Sequence, residues 1–167
     1  MAAMRPAVFL DRDGTLNRAA GPGAYVCAAG ELELLGGVAA AVEHLRRAGY
    51  LCLVVSNQRG VALGRMSEGD LGAVDARLRE LVRLDGAYYC THGLDEACDC
   101  RKPEPGLILR AARELDVDLS SSWMVGDSAT DVEAGRRAGC RTLRVRPVDG
   151  ALLAAAQTIL ADERKAA

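Results

Sequence analysis

Asp11 and Asp13 stand two positions apart at the end of a short apolar run, Ala7–Leu10, and Gly14-Thr15 follow at once. Two carboxylates placed together repel unless a cation joins them, and a hard, oxygen-preferring ion such as Mg²⁺ suits them. Three more polar groups follow apolar stretches further along: Ser56-Asn57-Gln58, Lys102 and Asp127. Asp11, Asp13 and Asp127 are enough to hold one Mg²⁺ with waters completing its shell. Lys102 and the Ser56 hydroxyl are donors suited to phosphate oxygens. A bare Asp11 would repel a phosphate at about 4 Å by roughly 1 kcal/mol per charge pair in water, and about 4 in a partly desolvated site. A metal and Lys102 reverse that sign. Asp11 is then a candidate nucleophile on phosphorus, forming an aspartyl-phosphate. Asp13 is a candidate to protonate the departing alcohol and then to take a proton from the attacking water.

A second constellation is Cys90-Thr91-His92 with Cys98-Asp99-Cys100. Three thiolates and an imidazole make a closed tetrahedral Zn²⁺ set, and four protein ligands leave no open position, so the expected role is structural. No C-x-x-C redox pair occurs. Structural zinc in small peptides contributes about 10–16 kcal/mol of apparent binding energy. That is enough to order a polar loop that offers little core. The loop runs directly into Arg101 and Lys102, so zinc is expected to aim both into the site. Cys52 and Cys140 read as buried thiols.

Elements that bring these groups together alternate along the chain. Ala7–Leu10 is a buried strand, and Asn17–Gly30 is a Gly- and Ala-rich loop that could cover its end, with Tyr25 as either a ligand contact or a packing residue. Apolar spacing predicts a helix over Gly37–Ala48, stopped by Gly49. Tyr50–Val55, apolar throughout, fits a central strand buried on both faces and ending in a polar loop from Ser56 to Gly60. Ser67 caps a helix running to about Arg83. Ala87–Tyr89 is a short third strand, residues 105–115 a helix, Ser122–Asp127 a fourth strand, Ala129–Ala138 a helix ended by Gly139, and Thr142–Val145 a fifth strand. A last helix starts near Gly150 and fades after Ala161, leaving 162–167 frayed. Strand-helix alternation predicts an α/β, Rossmann-like, doubly wound parallel sheet in one domain, 1–167. Strand ends of such a sheet share one edge, so Asp11, Asp13, Ser56, Asn57 and Asp127 can converge.

Among 167 residues, 26% are charged and the net charge is −2. Neither sign dominates, which gives no case for nucleic-acid or membrane partners. Aromatics at 4% speak against base stacking. The first residues carry no signal-peptide pattern, and no apolar run reaches the roughly 18 residues of a membrane span. A cytoplasmic protein is expected, acting as a monomer on a small molecule.

Asp11-Arg12-Asp13-Gly14-Thr15, Ser56-Asn57-Gln58, Lys102, and Gly126-Asp127 with Asp131 resemble, in order, the four motifs of haloacid dehalogenase-like (HAD) phosphohydrolases. The resemblance covers most of the chain, and the second acid, Asp13, fits a phosphatase. It implies Asp11 as nucleophile and Asp13 as general acid/base. It also implies Ser56 and Lys102 as phosphoryl stabilisers, and Mg²⁺ held by Asp11, the Asp13 backbone carbonyl and Asp127. Asp131, one turn past Asp127, then orients Lys102 or a metal-bound water, or is simply a solvated acid. A zinc loop running into Cys100-Arg101-Lys102-Pro103-Glu104-Pro105-Gly106 is similar to the D-glycero-D-manno-heptose 1,7-bisphosphate phosphatases, and to the N-terminal histidinol-phosphate phosphatases. By that resemblance Arg101, Tyr25, Asn57 and Gln58 line the substrate. Two departures are a shorter linker between the zinc-ligand pairs and Ser56 in place of the commoner threonine. No segment is long enough for a large cap domain, so specificity falls to the flap, the Arg59 loop and the zinc loop. Arg59, Arg65 and Arg101 are the cations available for a second phosphate. The alternatives are histidinol-phosphate hydrolysis and a non-catalytic phosphosugar-binding module.

Overall fold

The computed structural model describes residues 4–166. Strands β1 (Ala7–Leu10), β2 (Leu51–Asn57), β3 (Gly86–Cys90), β4 (Trp123–Gly126) and β5 (Arg141–Arg144) form one parallel sheet in the order β3-β2-β1-β4-β5. Parallel neighbours need crossovers, and α1 (Val38–Arg47), α2 (Glu68–Leu81), α3 (Gly106–Leu115) and α4 (Ala129–Ala138) supply them; α5 (Ala151–Ala166) follows the last strand.

Strand geometry turns alternate residues to opposite faces. Val8 and Leu10 join Val42, Leu45, Leu78 and Ile159 from α1, α2 and α5; Ala7 and Phe9 join Ile108, Ala111 and Ala134 from α3 and α4. Each β1 residue is therefore buried whichever way it points, which is why that strand is apolar without alternation. Strand order reverses between β1 and β4, since β2 and β3 lie to one side of β1 and β4 and β5 to the other. In open α/β sheets the crevice at such a reversal, beyond the carboxyl ends of the strands, is where ligands bind. Asp11 and Asp127 follow those two strands.

Several boundaries differ from the sequence expectation. β2 continues through Ser56 and Asn57 because β3 pairs with them, Ser56 opposite Tyr89 and Asn57 opposite Cys90. The α2 helix keeps its Ser67 cap but ends at Leu81. β5 begins one residue early, at Arg141, in register with Trp123. The frayed tail is corrected outright: α5 runs to Ala166, Ala167 lying outside the described residues, and its buried stripe of Leu152, Ala156 and Ile159 packs on the sheet. Tyr50 also donates to Glu163 at 2.6 Å, holding the helix beyond Ala161. Cys52 and Cys140 are buried, and desolvation pushes both thiols up to about 12. No helix among the described residues is long and apolar enough to cross a membrane.

Candidate active site

Asp11 leaves β1 with its backbone N–H still bonded to Val125 of β4 at 3.0 Å, so its side chain emerges at the strand-order reversal. Lys102, only 4% exposed, reaches it from the loop between β3 and α3. Its ammonium donates to Asp11 Oδ1 at 2.7 Å and to the Val55 carbonyl at 2.8 Å, and pairs with Asp131 Oδ1 at 2.6 Å. All three N–H bonds are thus spent. Asp131 is itself fixed as the third residue of a capping box: Oδ2 accepts from the Ser128 N–H at 3.0 Å and from its hydroxyl at 2.7 Å. Of the readings open for Asp131, the geometry is that of the Lys102 partner.

Glycines let these carboxylates approach. Gly14 has φ +87°, and a Cβ there would fall on the Asp127 carboxylate; a Cβ on Gly126 would fall on that of Asp131. Asp11, Asp127 and Asp131 thereby each present a ligand oxygen, all within 4.8 Å of one another. Asp131 is committed to Lys102 and Ser128, so Asp11 and Asp127 are the carboxylates left for an ion with bonds of about 2.1 Å. Electrostatics favours one. Burial raises the Asp11 carboxyl, Lys102 offsets only part of it, Asp131 adds to it, and the result is about 6. Burial, then Asp131, also raises Asp127. Three carboxylates face one ammonium, and a divalent cation is the charge that balances them. A set of three carboxylates from Asp11, Asp13 and Asp127 does not form: the Asp13 carboxylate turns into a hydrogen-bonded clamp, and its backbone carbonyl, the group the resemblance names, is what is left for a metal.

That clamp consists of Arg12, Asn17 and Gln58. Asn17 donates to Asp13 Oδ1 at 2.8 Å, Gln58 donates to Oδ2 at 2.8 Å, and Arg12 donates to both oxygens. Gln58 also donates to the Ser56 hydroxyl oxygen at 3.0 Å, which leaves the Ser56 proton free for another acceptor. A cleft of about 270 Å³ opens above, lined by Asp11, Asp13, Tyr25, Ser56, Asn57, Lys102, Asp127 and the start of α4. Asn57 brackets the Lys102 backbone, accepting its N–H at 3.0 Å and donating to its carbonyl at 3.1 Å.

The loop after β3 gathers Cys90, His92, Cys98 and Cys100, again with all ligand atoms within 4.8 Å. Cys90 Sγ lies 3.9 Å from Cys98 Sγ and 3.5 Å from His92 Nδ1, which lies 3.2 Å from Cys100 Sγ. Zinc bonds of about 2.3 Å to sulfur and about 2.0 Å to nitrogen, at tetrahedral angles, set sulfurs roughly 3.8 Å apart and sulfur and nitrogen roughly 3.5 Å apart. The four side chains fit that ion. Burial works against a charged Cys98, yet backbone N–H donors of Arg101 and Cys100 bring its thiol down to about 7.

Comparison with known proteins agrees with this geometry. An HAD-hydrolase-like family model matches residues 99–161. A D-glycero-beta-D-manno-heptose-1,7-bisphosphate 7-phosphatase from Pasteurella multocida is 41% identical over 146 residues, 81% of this chain and 78% of that protein. The enzyme of that name from Rhodopseudomonas palustris is 40% identical over 89% of this chain and 87% of its own. The chain belongs to this family of HAD-like phosphatases. A crystal structure of the D,D-heptose 1.7-bisphosphate phosphatase from B. bronchiseptica, complexed with magnesium and phosphate, superposes with a TM-score of 0.83 at 31% identity, covering 94% of this chain and 99% of that one.

Two residues that the resemblance puts against substrate, Gln58 and Arg101, lie elsewhere in this HAD-like phosphatase, as do two of the cations available for a second phosphate, Arg59 and Arg65. Gln58 is fully buried, its amide consumed by Asp13, Ser56 and Arg12. Arg101 turns back over the zinc loop and donates to the Gly93 carbonyl, so the loop aims Lys102 alone at the cleft. Neither Arg59 nor Arg65 lines the cleft. Arg12 belongs to none of the roles expected from the motifs, yet its position carries a signal: an arginine between two acids has either to be solvated or to pair with one of them.

Lys102 sets a clear expectation. Replacing it with Met leaves two buried carboxylates facing each other, and losing one partner of a buried ion pair costs about 3–5 kcal/mol. Denaturant unfolding of metal-free Lys102→Met at neutral pH is expected to show that loss; a change under about 1 kcal/mol, within the range of an exposed pair, would refute it.

Proposed function

We propose that this protein is a Mg²⁺-dependent phosphatase that removes the 7-phosphate of D-glycero-β-D-manno-heptose 1,7-bisphosphate through an aspartyl-phosphate on Asp11. We further propose that it works as one domain and as a monomer in the cytoplasm. The observation that carries the chemistry is Asp11 held on Lys102 beneath a cleft that also contains Ser56, Asp13 and Asp127. The substrate rests on relatives about 40% identical over most of the chain.

Asp11 attacks phosphorus and the bond to the sugar oxygen breaks. The Lys102 ion pair limits the rotation of the Asp11 carboxylate, so the attacking group is already oriented. Asp13 passes its proton to the departing alcohol. The resulting Asp13 carboxylate then takes a proton from the water that opens the acyl phosphate, which restores both acids. Ser56, with its oxygen committed to Gln58, donates its hydroxyl proton to a phosphoryl oxygen. Asp11, Asp127 and the Asp13 carbonyl would hold Mg²⁺, which supplies charge neutralisation to the incoming phosphate. Cys90, His92, Cys98 and Cys100 would hold a structural Zn²⁺. Tyr25 and Asn57 border the sugar.

Phosphate release tests the assignment, using heptose bisphosphate of either anomer, histidinol phosphate and unrelated sugar phosphates, with and without added Mg²⁺. Mg²⁺-dependent turnover with the largest kcat/KM on the β-heptose bisphosphate is expected. Preference for histidinol phosphate would overturn the substrate, and no turnover of any ester would overturn the reaction.

A further inference from the structure

We infer that Arg12 is a positioning residue for Asp13. The inference rests on the general acid/base role proposed above for that acid. Arg12 follows the nucleophile directly, yet its side chain runs beneath the cleft and is fully buried. Nε and Nη2 donate to Asp13 Oδ1 at 3.2 and 3.1 Å, and Nη2 also donates to Oδ2 at 3.1 Å. The same Nη2 reaches Gln58 Oε1 at 3.1 Å, so Arg12 also orients the second member of the clamp. Its guanidinium carbon sits 5.9 Å from the centre of the Tyr89 ring, and the Tyr89 hydroxyl is anchored on Asp75 of α2 at 2.7 Å. Arg12 also closes the turn itself. Its carbonyl accepts from Leu16 at 2.8 Å and from Asn17 at 3.2 Å, which folds the Asn17 amide back over Asp13.

Five N–H···O contacts from three residues thus hold the inner side of the Asp13 carboxylate, while 26% of that side chain remains exposed. Stability alone does not explain the arrangement. A buried guanidinium is costly to desolvate, and an apolar residue of similar volume at such a site is often as stable or more so. Arg12 Nη1 is also buried with no protein partner among the described residues, a further cost. Its planar fork does what an apolar side chain cannot: it fixes the plane of the carboxylate. Proton transfer needs the acid within hydrogen-bond reach of the leaving oxygen, and a carboxylate free to rotate spends less of its time there.

Leaving-group dependence separates this role from a merely structural one. A sugar alcohol departs only with a proton from Asp13, whereas p-nitrophenolate departs from p-nitrophenyl phosphate without one. Arg12→Met is expected to lower kcat on the sugar phosphate about 100-fold, the low end of general-acid contributions, with KM within about threefold. The pre-steady-state burst of nitrophenolate should stay within about threefold of wild type, although later turnover slows because water attack also uses Asp13. Arg12→Lys, which keeps the charge but loses the fork, should fall between the two. A nitrophenolate burst slowed as much as sugar-phosphate turnover in a folded Arg12→Met would overturn the inference. Should that variant not fold, Gln58→Met carries the same comparison with the ion pair intact: a selective loss on the sugar phosphate supports the clamp, and a uniform loss or none overturns it. A wild-type protein inert toward both substrates would instead overturn the phosphatase reading on which the inference stands.

Discussion

Asp11→Asn will hydrolyse its substrate at least about 10⁴-fold more slowly than wild type, since removing a covalent nucleophile leaves only binding and electrostatic assistance. Its stability will not fall. Burial and the nearby Asp131 carboxylate raise Asp11 to about 6 despite Lys102, so its charge is a net cost to the metal-free fold. Asparagine is nearly isosteric and removes that charge, and Lys102 keeps Asp131 and the Val55 carbonyl. An unchanged or raised Tm beside lost turnover is therefore the expected pair of results. Turnover near wild type would exclude Asp11 as nucleophile. Beryllofluoride, which imitates an acyl phosphate, should bind wild type and fail on the variant.

The second large effect concerns the cysteine loop. Wild type is expected to carry one zinc per chain, and Cys98→Ser to lose most of it, because apparent zinc energies of about 10–16 kcal/mol depend on a complete thiolate set. Little else orders this loop. Between Cys90 and Cys100 every residue is partly or fully exposed, and Leu94 is 60% exposed. The loop ends at Lys102, so its loosening reaches Asp11. Asn57 still brackets the Lys102 backbone from β2, so the loss should be partial: about 10–100-fold in kcat/KM, the range for mutated outer-shell partners of metal sites. Metal analysis with kinetics checks both halves. Unchanged zinc content would refute the ligand set, and full activity without zinc would refute the coupling to Lys102.

Much of this molecule is written locally. The doubly buried strands announce themselves as unbroken apolar runs, because a residue in β1 or β2 meets core on either face. The acids follow β1 and β4 in the chain, and parallel topology alone brings such ends to one edge. The four zinc-type ligands are recognisable from residue type and spacing, since most of that geometry closes within eleven residues. Side-chain direction beyond the strand ends was decided elsewhere. Asp13 faces its clamp because Gln58, 45 residues away, and the folded-back Asn17 meet it there. Asp131 is a lysine partner because Lys102 crosses to Asp11 over 91 residues. Arg101, adjacent to that lysine, points the other way, toward Gly93. A strand or a metal loop is governed by local periodicity and bonding capacity. The aim of a polar side chain in a turn is governed by which distant donor or acceptor the packing delivers to it, and no local pattern encodes that.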